Sequence, residues 1–151
     1  MNKTRLKHSL SCVLCVVLMA AAALNMTGCS GKPTSEPVGT QLYAQADTPH
    51  KLGEGETTFP FTVTELDGTE VFFEISTDET TVGAALMEAG LLEGENGPYG
   101  LMVSHVNGIR LDYNEDKAYW AFYIDGEYAL TGVDQTEIET GKAYAFRATK
   151  A

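Results

Sequence analysis

The stretch Ala118 to Val133, AYWAFYIDGEYALTGV, decides the fold, because it holds the single Trp of the chain together with three Tyr and one Phe. Side chains alternate across a β-strand, so Trp120 and Phe122 share one face, and Tyr119 and Tyr123 share the other. Both faces are worth burying. We therefore expect a strand that lies between two layers or that keeps one face for a ligand.

The dipeptide Asp125-Gly126 follows this strand and tolerates the positive φ angles of a two-residue hairpin turn. The chain should then fold back through Glu127 to Leu130. We expect the aromatic strand in the middle of its sheet. The simplest alternative is that its aromatic side chains are only core residues of a small β-rich domain, since aromatic stripes are usually core.

The first 28 residues have the three parts of an export signal. A basic start with Lys3, Arg5 and Lys7 precedes an apolar stretch from Leu10 to Leu24, and small residues lead to Cys29. The apolar stretch is shorter than the ~20 residues that a spanning helix needs. The residues before Cys29 resemble a bacterial lipobox, in which the thiol is acylated and the leader is removed, although Met26 stands where that motif prefers Leu.

Cysteine usage agrees with this interpretation, because Cys12 and Cys15 lie inside the leader and leave with it. The mature chain keeps Cys29 alone, so it has neither an internal disulfide nor a thiolate metal site. Two acyl chains on one Cys give stable anchoring. We therefore predict an extracytoplasmic bacterial lipoprotein, anchored to the cell membrane through Cys29.

The charge of the mature chain is strongly negative, since seven basic and 21 acidic residues remain after the leader, a net charge of −14. Such a surface repels phosphate backbones and anionic headgroups. We expect no nucleic-acid partner, and membrane contact only through the lipid.

Composition divides the mature chain into two parts. Residues 29–56 are rich in Gly, Pro, Ser and Thr without a regular apolar period, which predicts a flexible tether. Residues 57–151 form the predicted domain. It begins with two alternating strands, Thr57 to Leu66 and Thr69 to Ile75, which Asp67-Gly68 should join in a hairpin.

A short helix of about three turns should follow, because capping residues and acids precede apolar residues at helical spacing from Val82 to Ala89. Gly90 can end it in a left-handed conformation. After a loop at 93–97 we expect strands at Tyr99 to Val106, at Ile109 to Tyr113 and, at the end, at Lys142 to Thr149. This order predicts an α+β fold, a β-grasp-like mixed sheet with one short helix.

The sequence has only weak motifs for metal binding or catalysis. Asp112, Asn114 and Asp116 alternate as in a calcium loop, but Lys117 and Tyr123 stand where an EF-hand needs Gly and Glu. We expect no metal site there. His105, on a strand, is expected to be structural. No nucleophile motif or phosphate loop emerges, so we predict that the protein is not an enzyme, although scattered carboxylates leave a glycan or cell-wall hydrolase as an alternative.

Several segments together resemble the transcobalamin-like C-terminal domain, the small β domain of vitamin B12 carriers that also occurs in bacterial surface lipoproteins. They are the helix Thr81 to Gly90, the run Tyr99 to Gly108 (YGLMVSHVNG), the run Tyr119 to Tyr123 (YWAFY), Gly132-Val133-Asp134, and the last strand. The resemblance covers about Phe59 to Ala148 and implies a β-grasp-like fold.

In the carriers two segments of this domain contact the upper face of the corrin. On this chain, the resemblance implies a ligand site at Ser104, Tyr119, Trp120, Phe122 and Tyr123. The helical barrel that completes the carriers' clamp has no counterpart here, so any binding of cobalamin or another corrinoid should be weak. The function we expect is a surface-anchored, non-enzymatic ligand-binding module. A cell-surface adhesion or protein-assembly module that uses a sheet edge, with a partner protein, is the alternative.

Overall fold

The computed structural model describes residues 42–151. The predicted signal peptide, Cys29 and the first part of the predicted tether lie outside the described residues. Within residues 42–151, no helix reaches the length and apolar character that crossing a bilayer requires.

The described residues form nine strands and one α-helix. In chain order they are β1 His50–Gly53, β2 Thr57–Thr64, β3 Glu70–Thr77, α1 Val82–Glu88, β4 Leu92–Gly97, β5 Gly100–Val106, β6 Ile109–Arg110, β7 Ala118–Ile124, β8 Glu127–Tyr128 and β9 Tyr144–Lys150. A short 3₁₀ helix, Val133–Gln135, precedes β9. The prediction of a mixed sheet with one short helix is confirmed for these residues.

The larger sheet has six strands in the order β1-β3-β2-β9-β7-β8. It is mixed, because β1 runs parallel to β3 and β2 runs parallel to β9, while the other neighbours are antiparallel. The second sheet is antiparallel, in the order β4-β5-β6.

One face of the larger sheet carries the core. The predicted alternation of β2 and β3 is confirmed, since Phe59, Phe61 and Val63 and their cross-strand partners are buried. Ring contacts join the strands: the Phe61 ring lies 5.9 Å from the Phe73 ring and 6.3 Å from the Phe146 ring. Burial of a large apolar side chain stabilises by about 1.5–3 kcal/mol, so this aromatic layer is the main source of stability.

The connection between β2 and β3 differs from the predicted two-residue turn. β2 ends at Thr64 and β3 starts at Glu70, which leaves a loop of five residues. The Asp67 carboxylate accepts the backbone N–H of Thr69 at 2.8 Å. This side-chain bond stabilises the longer loop and lowers the pKa of Asp67 from its usual 3.8.

The helix begins at the predicted residue, Val82, and ends at Glu88, one residue before the predicted end. The Thr81 side chain accepts the backbone N–H of Ala84 at 3.3 Å, and Gly90 has a φ of 69° just after the last turn. With seven residues, α1 has about two turns instead of three. Val82, Ala85 and Leu86 are buried in the core.

The predicted tether ends earlier than residue 56, because β1 pairs in register with the outer edge of β3. The ring of Tyr43 packs edge-on against Phe73 at 5.6 Å, and the ring of His50 lies 5.5 Å from the same residue. The sequence of this segment has no apolar period. It can still form a strand, because strand pairing uses backbone groups that every residue supplies.

A buried amide fastens the same segment to the second sheet. The Asn107 side chain accepts the N–H of Tyr43 at 2.8 Å and donates to the carbonyl of Tyr43 at 2.9 Å. Asn107 is fully buried and has a φ of 50°, and with Gly108 it makes the predicted tight turn between β5 and β6. One residue therefore closes a hairpin and holds the start of the folded region.

The prediction of a loop at residues 93–97 is wrong, since these residues belong to β4 and pair with β5. Glu and Gly in β4 hide the strand from sequence patterns, and a register shift between Glu93 and Gly94 interrupts it further.

The aromatic strand β7 also differs from its expected place at the middle of the sheet. The central pair is β2 and β9, and β7 lies second from the edge, next to β8. Asp125 and Gly126 make the predicted positive-φ turn into β8. Because β8 pairs only with Tyr123 and Ile124, most of β7 has no β8 beside it.

Candidate functional site

The side of β7 that β8 leaves uncovered borders a cavity of about 430 Å³. Its other walls are β5, the segment that follows β8 and Phe146 of β9. No lining side chain carries a charge. The lining residues are Leu101, Val103, Tyr119, Trp120, Phe122, Tyr128, Ala129, Leu130, Thr131, Gly132, Val133 and Phe146.

A backbone hydrogen bond joins the segment after β8 to β7, from the N–H of Ala129 to the carbonyl of Phe122 at 2.9 Å. Within the segment, the Thr136 hydroxyl donates to the carbonyl of Gly132 at 2.9 Å. Between these two points Leu130 projects into solvent and is 97% exposed. Tyr128, at the start of the segment, is 58% exposed. The cavity therefore has an apolar rim that the fold itself does not bury.

Trp120 forms a wall of this cavity but exposes little of its ring. Its indole N–H donates to the carbonyl of Ile109 at 3.2 Å, and 7% of the residue is exposed. Phe122 is equally fixed, since its ring lies 5.1 Å from that of Phe146. Both residues are rigid wall residues rather than a flat platform on the surface.

The two predicted tyrosines of β7 lie in different places. Tyr119 is half-buried and lines this cavity. At Tyr123, the Arg147 guanidinium sits 4.4 Å from the ring centre and the Tyr128 ring makes an edge-on contact at 5.7 Å. Tyr123 does not line the cavity.

Ser104 lies in a second cavity, of about 550 Å³, on the other side of Tyr119. Unlike the first cavity, it carries both acidic and basic side chains. Its lining residues are Glu95, Met102, Val103, Ser104, His105, Arg110, Leu111, Asp112, Tyr113, Asn114 and Tyr119.

The hydroxyl of Ser104 is already engaged. It lies 3.3 Å from the carbonyl of Glu93, to which it donates, and 3.0 Å from Nδ1 of His105. The Glu93 carboxylate approaches the same ring nitrogen at 3.5 Å. In a nucleophile relay the acid and the hydroxyl use opposite nitrogens of the imidazole, so these three residues do not form one.

The alternating acids at Asp112 to Asp116 bind their own turn. Asp112 accepts the backbone N–H groups of Glu115 at 3.1 Å and Asn114 at 2.8 Å, and Arg110 contacts it at 3.2 Å. The two N–H groups, with a smaller contribution from Arg110, lower the pKa of Asp112. Among residues 42–151 no group of three or more His, Cys, Asp or Glu side chains is placed to hold a metal ion.

The rim of the first cavity was not predicted from the sequence. Tyr128 to Val133 contain no charged residue, although 21% of the chain is charged, and this uncharged run was the available signal. Leu101 and Val103 were named only as part of a strand. Which of their two faces meets β7 depends on how the small sheet packs, which no local pattern shows.

Comparison with solved structures shows which class of fold this is. The chain is similar to haptocorrin in a structure with Cbi, with a TM-score of 0.51 and 16% sequence identity over 65% of this chain. The match spans 26% of haptocorrin, so this chain corresponds to about a quarter of that protein. At this identity the similarity shows a shared fold, which supports the resemblance to the transcobalamin-like domain at the level of fold.

A stronger similarity gives the family. A protein from Ruminococcus gnavus, described as a "putative metal binding protein", is 31% identical with a TM-score of 0.60, over 64% of this chain and 99% of that one. The chain belongs to the same family as that protein. Residues 79–149 also match the family described as Domain of unknown function (DUF4430). No curated protein sequence matches the chain significantly.

Proposed function

We propose that this protein is a surface-anchored, non-enzymatic ligand-binding module with a β-grasp-like domain. Its site is the uncharged cavity beside β7. The ligand is a flat, largely apolar molecule, for which a corrinoid is the first choice.

The observation that carries this proposal is the uncharged cavity with its exposed apolar rim, in a described region with six basic and 20 acidic residues. Leaving Leu130 and Tyr128 in water adds nothing to folding stability. Exposed apolar groups beside a concave surface are typical of a binding site. The fold shared with haptocorrin, a B12 carrier solved with Cbi, supports a corrinoid as ligand.

Affinity should be low. The chain corresponds to 26% of haptocorrin, so we expect one face of a flat ligand to stay in water unless a partner covers it. Less buried apolar area means less binding free energy to offset the entropy lost on association. A dissociation constant of about 10 μM to 1 mM would fit such a site.

The test is a titration of the lipid-free chain, starting after Cys29, with cobalamin. Trp120 is the single Trp of the chain and forms a cavity wall, so its fluorescence reports occupancy directly. We expect saturable quenching after correction for absorption by the corrinoid. No saturable change up to about 1 mM ligand would reject the corrinoid as ligand.

Two exposed leucines give a matched pair of variants. Leu130→Ser removes a rim residue that is 97% exposed, whereas Leu66→Ser changes a leucine, 45% exposed, in the β2–β3 loop. We expect about a 3- to 10-fold loss of affinity for Leu130→Ser and none for Leu66→Ser. Equal affinities for both variants would place the ligand elsewhere.

Anchoring is proposed from the lipobox-like residues before Cys29, and it has a separate test. Cys29→Ala should release the protein from the membrane fraction, because a chain without the acylated Cys29 lacks its lipid anchor. Continued retention of Cys29→Ala in that fraction would contradict lipidation at this residue.

A further inference from the structure

The two cavities adjoin, because Val103 and Tyr119 line both. Val103 lies on β5 and Tyr119 on β7, so the two strands share a wall between the cavities. A ligand seated beside Trp120 is therefore one side chain away from the second cavity. The two spaces form one cleft with two chemically different ends.

The first end is uncharged, whereas the second end holds Glu95, His105, Arg110 and Asp112. The cation of this set is already neutralised. Arg110 Nη1 lies 2.9 Å from Glu115 and Nη2 lies 3.2 Å from Asp112. Glu115, by hydrogen bond and charge, raises the pKa of Arg110.

The remaining charge at the second end is negative. His105 faces the Glu93 carboxylate at 3.5 Å, and Glu95 lines the cavity with no basic side chain paired to it in residues 42–151. An anionic group entering here would meet the Glu95 carboxylate, which no basic side chain compensates within residues 42–151. Phosphate and carboxylate groups are therefore disfavoured at this end.

Neutral hydrogen-bonding groups are available in the same place. Tyr113 and Tyr119 carry hydroxyls, and Asn114 carries an amide. Within residues 42–151 no hydrogen bond engages any of these three side-chain polar groups. Such groups can donate to or accept from a hydroxyl or an amide of a ligand.

We propose that the ligand is amphipathic, with an apolar body beside Trp120 and an uncharged arm, bearing amides or hydroxyls, that passes Tyr119 into the second cavity. This inference rests on the proposed function, since it assumes that the first cavity holds the body. It adds the chemistry of the arm and excludes an anionic one.

The experiment compares two corrinoids that share one ring and differ in their arms: cobinamide, whose arms are amides, and cobyrinic acid, whose arms are carboxylates. Binding to the lipid-free chain is followed by Trp120 fluorescence. We expect the amide form to bind at least about 10-fold more tightly at low salt, and the difference to shrink at high salt, since screening weakens repulsion. Glu95→Gln should narrow the difference by favouring the acid form.

The variant Asn114→Ala, combined with Tyr113→Phe, tests the arm itself. We expect about a 5- to 10-fold loss of affinity for cobinamide, with the free energy of unfolding unchanged, because both side chains are exposed. If this variant bound cobinamide with full affinity while Leu130→Ser bound it more weakly, the proposed arm in the second cavity would be wrong. The proposed function would remain intact. Tighter binding of the acid form would also overturn it, and binding of neither corrinoid would reject both proposals.

Discussion

The two flanks of β7 differ in what they do with apolar side chains. Towards β9, Phe122 packs against Phe146; both rings reach the inner wall of the cavity but are at most 8% exposed, and the layer behind them out to β3 is buried. Away from β9, Tyr128 and Leu130 remain 58% and 97% exposed at the rim of the cavity. One flank provides folding stability, and the other keeps apolar surface that only a ligand or partner can bury.

The largest expected effect on stability comes from truncating one aromatic residue of the buried layer towards β9. Phe61 is fully buried and touches two other rings. Phe61→Ala should lower the free energy of unfolding by about 3–5 kcal/mol, because a cavity remains where the ring was. Chemical denaturation of the lipid-free chain measures this change.

Leu130→Ala is the counterpart on the open flank. Its effect on the free energy of unfolding should stay within about 0.5 kcal/mol, since nothing in the fold buries this residue. A loss as large as that of Phe61→Ala would mean that the rim is structural, and the functional reading of the cavity would fail.

A second test concerns the buried amide that holds the start of the folded region. Asn107→Ala removes both hydrogen bonds to Tyr43 and places Ala at a φ of 50°. We expect a loss of about 2–3 kcal/mol in the free energy of unfolding, since two backbone groups lose their partners. Proteolysis in the region of residues 42–56 should also become faster in the variant.

Asn114→Ala is the matched control, because Asn114 lies in an exposed turn and its side chain bonds to no other described residue. It should leave stability unchanged within about 0.5 kcal/mol. If Asn107→Ala were equally silent, β1 pairing and the ring contacts of Tyr43 and His50 with Phe73 would suffice to hold the segment before β2.

The helix cap predicts a smaller effect. Thr81→Ala removes the acceptor of the Ala84 N–H and should cost about 1 kcal/mol of stability. Thr80→Ala is its neighbour control, since Thr80 contributes its backbone carbonyl, and not its side chain, to the Ile138 N–H. Thermal melts of the two variants should separate by a few degrees, with Thr81→Ala lower.

The smallest predicted effect on stability lies at the turn between β7 and β8. The Asp125 carboxylate accepts the Ala143 N–H at 2.9 Å and pairs with Lys142 at 3.0 Å, and both contacts lower its pKa from 3.8. A depressed folded-state pKa stabilises the protein above the unfolded value. That contribution is lost as the pH falls below about 3.8 towards the folded pKa.

Asp125→Asn therefore provides the measurement. The free energy of unfolding of the wild type should be slightly larger than that of Asp125→Asn at neutral pH. This difference should close as the pH falls through the range in which the Asp125 carboxylate is protonated. The pKa of Lys142 is raised by the same pair, so the gap should also narrow above about pH 10.5. A gap that is independent of pH would contradict this account of the turn.

Much of the fold could be predicted from local patterns. The alternation in β2 and β3 identified the core face, and the Asn107-Gly108 and Asp125-Gly126 turns are where their backbone preferences place them. The helix cap at Thr81 follows from side-chain chemistry that acts over three residues. In each case the interaction is local, so the sequence carries it.

The missed strands have one feature in common. β1 and β4 form through backbone pairing with β3 and β5, and neither has an apolar pattern. The loop at residues 65–69 was missed for another reason, because backbone bonds from Glu65 to Thr69 and from Gly68 to Glu65 close it together with the Asp67 carboxylate. For the site, Trp120 and Tyr119 were named from composition, but Leu130, Leu101 and Val103 meet them only when β5 and the segment after β8 converge on β7.

The sequence by itself determined which face of each main strand is apolar, where the chain turns and that the described domain is acidic, because these depend on residue types and near neighbours. Only the tertiary structure decided which strand edge stays uncovered, that Trp120 is a fixed wall and that Tyr119, but not Tyr123, lines the cavity. The reason is physical: a cleft is the space between elements, and its shape follows from long-range packing that no short segment contains.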